Sequence, residues 1–402
     1  RQLAPSNPRV LISTRLPDLV PAADDFELAL NKTLEDIHFH KTLRRAVYEA
    51  MVGMGVIKVG LNRSKQVEIG GYLHDVGEPF ADVVSLDDWV HDMSARSWED
   101  VQFEGNYFRP LLSEVKACGL FKNTEKLQDG DDDSDNNEFG EEKAKTIQAR
   151  AHQDDYKRRV DLLELWLPKD GVILTVHVGG TWTVLREEGW GGPETGPYKK
   201  LILDEIPDAT IPYPPAALWQ DLHELGNMIF TKLGDQAVRQ KSILGVAKGD
   251  EEDLETLRNA DDGDVVTLDR PGEAQEFHYG EINQSNFAFF LQEKDLFSWF
   301  AGNLDSLGGL STMADTLGQD ELLAASANKT LADMRDRTIQ FTDEVITDIA
   351  KFLWDDPIRK VPIMKSVPGL DETIPAYFIA EEQEGDFTDY QCGLDPDSWQ
   401  PK

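Results

Sequence analysis

The sequence predicts an α+β protein built from two or three folding units. Three observations lead there. The chain has 402 residues, and a domain takes roughly 150. Its first half breaks into short apolar stretches separated by acidic and glycine turns, the pattern of strands. Beyond Pro207–Pro215, which carries four prolines, it changes to long proline-free stretches with helical spacing. With 40% hydrophobic and 9% aromatic residues, the chain has enough apolar material for a sizeable core.

Taken in order, Arg1 to Pro21 holds four prolines and reads as an extended arm. Asp24 and Glu27 have the spacing of a capping box at a helix N-terminus. Leu28, Leu34, Ile37, Leu43, Val47 and Met51 continue one helix, which Gly53 and Gly55 end. Val56 to Leu61 alternates like a strand. Val83-Val84, Trp89-Val90 and Val101 to Phe103 are further short strands, and Pro110 opens a short helix toward Cys118. Asp129 to Glu142 is a low-complexity acidic segment, read as a surface loop. Val160 to Leu167, Val172 to Val178 and Thr181 to Leu185 read as strands, with Gly179-Gly180 as a hairpin turn and Gly189 to Pro197 as a loop.

Ala216 to Ile243 reads as one helix about 42 Å long at the standard rise. Leu244 to Asn283 is a compact insert, with a short helix near Glu251 to Asn259 and strands at Val265 to Leu268 and Glu276 to Tyr279. Gln284 to Leu304 is a second helix, rich in phenylalanine. Asp305 to Gln319 is a Gly/Ser/Thr-rich loop, and Asp320 to Trp354 a third helix about 50 Å long. Leu331, Met334, Thr338, Phe341, Val345, Ile349 and Phe352 mark its apolar face. Pro357 stops it, and Val361 to Lys402 alternates prolines with short strands.

Charge and composition exclude several classes. Lys and Arg number 40 against 75 Asp and Glu, a formal charge of −35. Tight DNA binding needs clustered cations that displace counterions, and the nearest approaches here are Lys157-Arg158-Arg159, Lys199-Lys200 and Arg44-Arg45. An acidic surface suits a protein past which DNA slides without sticking, and by itself it is equally explained by solubility alone. No apolar run approaches the roughly 20 residues of a membrane span. The best, Ala46 to Leu61, is broken by Glu49, Gly53, Gly55 and Lys58. Two cysteines, Cys118 and Cys392, make no disulfide framework, and a reducing compartment fits them. The chain opens on Arg1 without a signal-peptide pattern, which reads as a processed form or a piece of a longer chain.

No catalytic set stands out. His74-Asp75 and His91-Asp92 could belong to a metal phosphohydrolase, but both lie in a strand-and-turn region without evident further ligands. Asp131, Asp133, Asp135 and Glu142 fall on positions 1, 3, 5 and 12 of a calcium loop, with Asn136 where glycine is usual. His38 and His40 stand two apart on an expected helix and so face different sides. Phosphate-loop, dinucleotide, nucleophile-elbow and HExxH motifs are absent from the sequence. Cys118 has no evident activating partner. No cofactor is implied.

The order of parts resembles the portal protein of tailed bacteriophages, the ring at the capsid vertex through which DNA passes. Particular stretches carry the likeness. Ser85 to Phe103 (SLDDWVHDMSARSWEDVQF) resembles a portal strand leading into an Asp-x-x-Ala-x-x-x-Glu-Asp turn. Met51 to Val59 (MVGMGVIKV) resembles the passage from an early wing helix into a strand, and Ala325 to Met334 (ASANKTLADM) the start of the long helix after the tunnel loop.

The resemblance implies a portal fold: a mixed wing over residues 1–215, stem helices 216–243 and 284–304, a clip 244–283 and a tunnel loop 305–319. A long kinked tunnel helix with adjoining wing would follow over 320–356, and a wing β tail over 357–402. The crown of larger members would be absent or not included. It implies Ser311, Thr312, Gln319, Lys329, Arg335 and Arg337 as channel-facing residues, the last three also open to ordinary pairing with Asp333 and Asp336. Glu251, Glu252, Arg258, Asp261 and Asp262 would line the clip, and Phe287, Phe290, Phe297 and Trp299 would lie between stems. The implied partners are a homo-oligomeric ring, usually of twelve, large terminase, head–tail adaptor and tail proteins, major capsid and scaffolding proteins, and double-stranded DNA. The implied location is the virion, after assembly in the host cytoplasm. Such a ring has no catalytic activity of its own. Two other readings compete: a metal-dependent hydrolase using His74, Asp75, His91 and Asp92, and another virion protein such as an adaptor, without the helix–insert–helix hairpin.

Overall fold

The two hydrophobic periods of the sequence become strands and helices in a computed structural model. It describes residues 3–5, 7–69, 72–127, 159–178, 182–245, 255–256, 258–259, 275–279, 283–301, 317–366, 373–380 and 384–399. The elements run β1 (Val10–Thr14), α1 (Val20–Asp36), α2 (Phe39–Val52), β2 (Gly55–Ile69), β3 (Tyr72–Val84), β4 (Trp89–His91), β5 (Glu104–Phe108) and α3 (Leu112–Ala117). Then come β6 (Leu162–Leu167), β7 (Val172–His177), β8 (Thr183–Gly189), β9 (Tyr198–Leu201), α4 (Pro215–Arg239), β10 (Lys241–Gly245) and β11 (Gln275–Tyr279). The chain ends with α5 (Gln284–Ala301), α6 (Leu317–Trp354), β12 (Lys360–Ser366), β13 (Thr373–Ile379) and β14 (Tyr390–Leu394). The α+β class holds. Two compact units form: Arg1–Ala216 with Thr330–Lys402, and Ala217–Lys329.

The first unit is organised around the last turns of α6. Phe341, Val345, Ile346, Ile349, Ala350 and Leu353 are buried in one cluster with Phe26 and Leu30 of α1, Leu43 and Ala46 of α2, Ile57 of β2 and Phe378 of β13. The helical spacing marks Phe341, Val345 and Ile349 but misses Ile346, Ala350 and Leu353, while the marked Phe352 is only partly buried, and it marks the buried Thr338. Its hydroxyl satisfies itself inside the core by donating to Met334 O at 2.8 Å. Gly55 lets α2 lie directly on β2, because a Cβ there would stand 2.2 Å from Ala46 O.

Several local readings change. The proline-rich N-terminus is more than an arm, since Val10–Thr14 pairs antiparallel with Tyr390–Leu394. The first helix starts at Val20, without a side-chain cap and with Pro21 in its first turn, where a missing N–H costs nothing. Asp24 is therefore inside the helix. Glu27 instead accepts from Ile12 N–H at 3.0 Å, and Asn31 from Val10 N–H at 2.9 Å, covering the open edge of β1. The expected single helix to Met51 breaks at His38, whose φ of 55° is left-handed. The break lets α1 and α2 both bury their apolar faces in one core, which the uninterrupted spacing of leucines conceals.

Strands β3-β2-β9 form one sheet and β4-β5-β6-β7-β8 another. The expected strand at Val101 to Phe103 lies outside both, and the strand starts at Glu104. Val101 fills the core instead, while Phe103 O and Gln102 N–H bond back to Asp92. Buried polar pairs link the two sheets. Lys58 on β2 meets Glu164 on β6 at 2.6 Å, and Lys200 on β9 meets Glu104 on β5 at 2.5 Å. Tyr198 donates to Asn106 at 2.7 Å, and its burial, followed by Glu164 and Glu104, pushes its phenol well above the ordinary range. The expected turn at Gly179-Gly180 lies outside the described residues.

A buried ion pair fastens β9 to α6: Lys199 Nζ lies 2.8 Å from Asp348 Oδ2, with both side chains under a tenth exposed. Lys199 also donates to Thr195 Oγ1. Desolvation outweighs the lysine's pull and raises the Asp348 carboxyl to about 6.

In the second unit, the expected helix to Ile243 ends at Arg239. Lys241–Gly245 leaves it to pair with Gln275–Tyr279, a cross-strand pairing that overrides local helix preference. Residues 255–256 and 258–259 are helical, as read from the sequence. The expected strand Val265 to Leu268 lies outside the described residues. The loop expected to reach Gln319 gives way to helix at Leu317.

Two outcomes follow. Gly55→Ala drives a methyl into backbone and should destabilise the first unit by about 1–3 kcal/mol, the usual cost of overpacking, read by urea unfolding. A carbon-detected titration of Asp348 should show a midpoint near 6, against about 3.9 for an exposed aspartate. The folded carboxyl holds its proton more tightly than the unfolded one, so the contribution of Asp348 to stability falls as pH rises through that window and levels off above it.

Candidate functional site

The second unit presents a helical hairpin. On α4, Trp219, Leu222, Gly226, Ile229, Leu233 and Gln236 recur at steps of three and four and are the less exposed positions of their turns. On α5, Asn286, Phe290, Glu293 and Phe297 do the same. The two stripes meet. Trp219 and Phe297 have ring centroids 6.4 Å apart. A Cβ on Gly226 would stand 2.9 Å from the Glu293 carboxylate. Phe230 and Phe290 lie 5.8 Å apart, and Asn283 N–H donates to Gln236 at 3.1 Å. As α4 numbers rise, their α5 partners fall, so the helices are antiparallel. The β10–β11 ribbon follows α4 and precedes α5, giving the helix–insert–helix order the sequence predicts.

Asn283 starts α5 as its cap, with Oδ1 accepting from Ser285 N–H at 2.9 Å and Asn286 N–H at 3.3 Å. Gly226 permits the close approach of the helices and leaves room for the buried Glu293.

This single seam leaves much apolar surface outside. Phe287 is 51% exposed, Phe289 49%, Leu291 44% and Leu296 44%. At about 100° per residue, Phe289 with Leu296 and Phe287 with Leu291 form two stripes about 160° apart, one on either side of the seam. On α4, Phe230 (65% exposed) and Leu218 likewise flank the seam, while Met228 and Val238 are exposed behind it. The hairpin therefore carries apolar residues on both flanks.

The residues singled out from the sequence fall into place unevenly. Phe290 and Phe297 turn toward α4 in the seam, whereas Phe287 is exposed. Trp299 is in α5, but its side chain lies outside the described residues, as do those of Gln319 and Lys329 in α6. Ser311, Thr312, Glu251, Glu252, Asp261, Asp262 and the calcium-like loop also lie outside them. Arg258 is helical and exposed. Arg337 bonds Asp333 at 3.3 Å and Glu205 at 3.3 Å, so the expected pairing along the helix surface exists. Arg335 is exposed and has a partner of its own.

Of the two His-Asp pairs, the side chains of His74 and Asp75 lie outside the described residues, and those of His91 and Asp92 serve the fold. His91 is buried beside Trp89 and Trp98 and bonds Thr210 at 3.0 Å. Burial, reinforced by Lys200, lowers its pKa. Asp92 closes a turn by accepting from Ser94 N–H at 3.0 Å and from the Ser94 hydroxyl at 2.5 Å, and these bonds hold its carboxyl below the usual range. His74 and Asp75 belong to β3 opposite Val67 and Gln66. Among the described residues no group of three His, Cys, Asp or Glu could hold a metal. His38 stands at a helix break rather than within a helix, and its ring centroid is 6.1 Å from that of His40. Cys118 is exposed, and burial pushes the Cys392 thiol up to about 12. No described helix is long and apolar enough to cross a membrane.

Phe230, Leu291 and Leu296 were not singled out from the sequence. The alternation of three and four along Trp219 to Gln236 was the signal that could have identified the α4 side of the seam. No family model matches the chain, and no curated protein matches it.

Removing the α5 cap should be visible locally. Asn283→Ala should cost about 0.5–2 kcal/mol, read as faster amide exchange in the first turn of α5.

Proposed function

We propose that the protein is a portal-type subunit: copies form a ring whose lumen passes double-stranded DNA at a capsid vertex. One observation carries this reading, the helix–ribbon–helix hairpin with an apolar stripe on each flank. A twofold dimer needs one self-complementary patch. A ring needs two different patches, each meeting the other on a neighbour. Stripes about 160° apart fit the second requirement. The hairpin also favours a portal over an adaptor lacking it.

Charge supports the same reading. A lumen built from subunits of charge −35 repels phosphates and leaves DNA few lasting contacts. The β10–β11 end of the hairpin would serve as the clip that docks terminase during packaging and adaptor proteins afterwards. Capsid and scaffolding proteins would meet the first unit. The ring acts as a conduit and has no catalytic chemistry of its own.

Native mass measurement with negative-stain imaging tests the reading. The expected result is a closed ring with a central hole, of about twelve 45.2 kDa chains by the resemblance to portal proteins. Replacing one flank, by Phe289→Glu with Leu296→Glu, should give smaller species and leave the circular dichroism unchanged. A monomer or a twofold dimer for the unaltered chain under assembly conditions would overturn the reading.

A further inference from the structure

Two surfaces of the first unit set exposed charges beside exposed apolar side chains. One is the outer face of α2. Lys41, Arg44, Arg45, Tyr48 and Val52 follow one another at helical spacing and are all exposed, with Tyr48 at 67% and Val52 at 69%. Arg45 reaches Glu49 at 3.8 Å, while Lys41 and Arg44 form no ion pair with any described residue. Three cations and two large apolar side chains thus stand together on a chain of charge −35.

The other is the loop at 204–213, which has the opposite character. It is pinned from within: Tyr213 N–H donates to Asp204 O at 3.2 Å and Ala209 N–H to Ile206 O at 3.3 Å. Thr210 is buried and bonded to His91, and Pro212 is buried beside it in sequence. Asp208 takes a left-handed φ of 60° to make the turn, a conformation aspartate tolerates. This ordered backbone holds Ile206, Ile211 and Tyr213 outward, 40%, 52% and 45% exposed, beside the exposed Glu205 and Asp208. Compact loops closed at their base commonly carry recognition.

We infer that the outer face of α2 in one copy docks on the 204–213 loop of the next copy. The charges are complementary: Lys41, Arg44 and Arg45 face Asp208 and Glu205, whose carboxylate is shared with Arg337 of its own chain. Both surfaces add apolar residues, Tyr48 and Val52 on one side, Ile206, Ile211 and Tyr213 on the other. They differ from each other, so the contact is heterologous and propagates in one direction around a ring. Opposite charges also fix the register and disfavour α2 against α2. The inference rests on the ring reading for its closure, but its own contact is separate from the hairpin.

Cross-linking decides it. In a Cys118→Ser background, Tyr48→Cys and Ile211→Cys are placed in one chain, and the assembled protein is treated with a short bifunctional maleimide. A ladder of multimers is expected on a denaturing gel. Copies carrying one cysteine each, when mixed, should yield dimers only, and either variant alone should yield none. Arg44→Glu with Arg45→Glu should reduce the ladder about tenfold with unchanged circular dichroism. Linking of Tyr48→Cys to itself, or a ring that forms without the ladder, would overturn the inference and leave the ring reading standing. A ladder on open chains instead of rings would sustain the inference and overturn the ring. Neither ladder nor oligomer would overturn both.

Discussion

A hairpin of two helices has only one internal seam. Each helix can turn one stripe toward the other, and the rest of its surface meets water or another molecule. Here the seam takes Trp219, Gly226, Leu233, Phe290, Glu293 and Phe297, while Phe230, Phe287, Phe289, Leu291 and Leu296 remain outside. Burying a large apolar side chain contributes about 1.5–3 kcal/mol, and an isolated hairpin leaves much of that unrealised. The second unit is therefore the part of the chain whose apolar surface calls most directly for neighbours.

The first unit behaves differently because its apolar residues close on themselves. The end of α6 lies at the centre of the largest core, surrounded by α1, α2, β2 and β12–β13. Pairing of β1 with β14 ties the two ends of the described chain into the same structure. Polar groups in this unit largely serve architecture. Lys58, Lys200 and Lys199 each meet a carboxylate on a different element, so these basic residues hold layers together. Leaving one partner of such a pair alone in the interior is strongly destabilising.

The distribution of positive charge acquires a sharper meaning as a result. The Lys199-Lys200 run is consumed internally, and Arg337 is held by Asp333 and Glu205. Lys41 and Arg44 of α2 are exposed and form no ion pair with any described residue, on a chain of charge −35. Acidic chains repel one another at long range, so assembly requires local surfaces where that repulsion is reversed. In the proposed ring, the acidic 204–213 loop of one copy against the basic face of α2 in the next would meet that requirement, and the apolar flanks of the hairpin would add attraction that salt does not screen.

What could be read in the sequence is what depends on neighbours along the chain. The long helices, the proline stop before α4, the strands after Pro357 and the apolar face of α6 from Met334 to Ile349 all follow from periodicity and turn chemistry. So does the order helix, insert, helix. What tertiary structure alone decided depends on residues far apart in number. Lys241–Gly245 is a strand because Gln275–Tyr279 lies beside it. Val10–Thr14 is a strand because Tyr390–Leu394 does. His38 breaks a helix because two faces must reach one core. Among the aromatics of α5, spacing could not separate Phe290 and Phe297, which face α4, from Phe287 and Phe289, which face outward. All are equally apolar, and only the position of the second helix divides them.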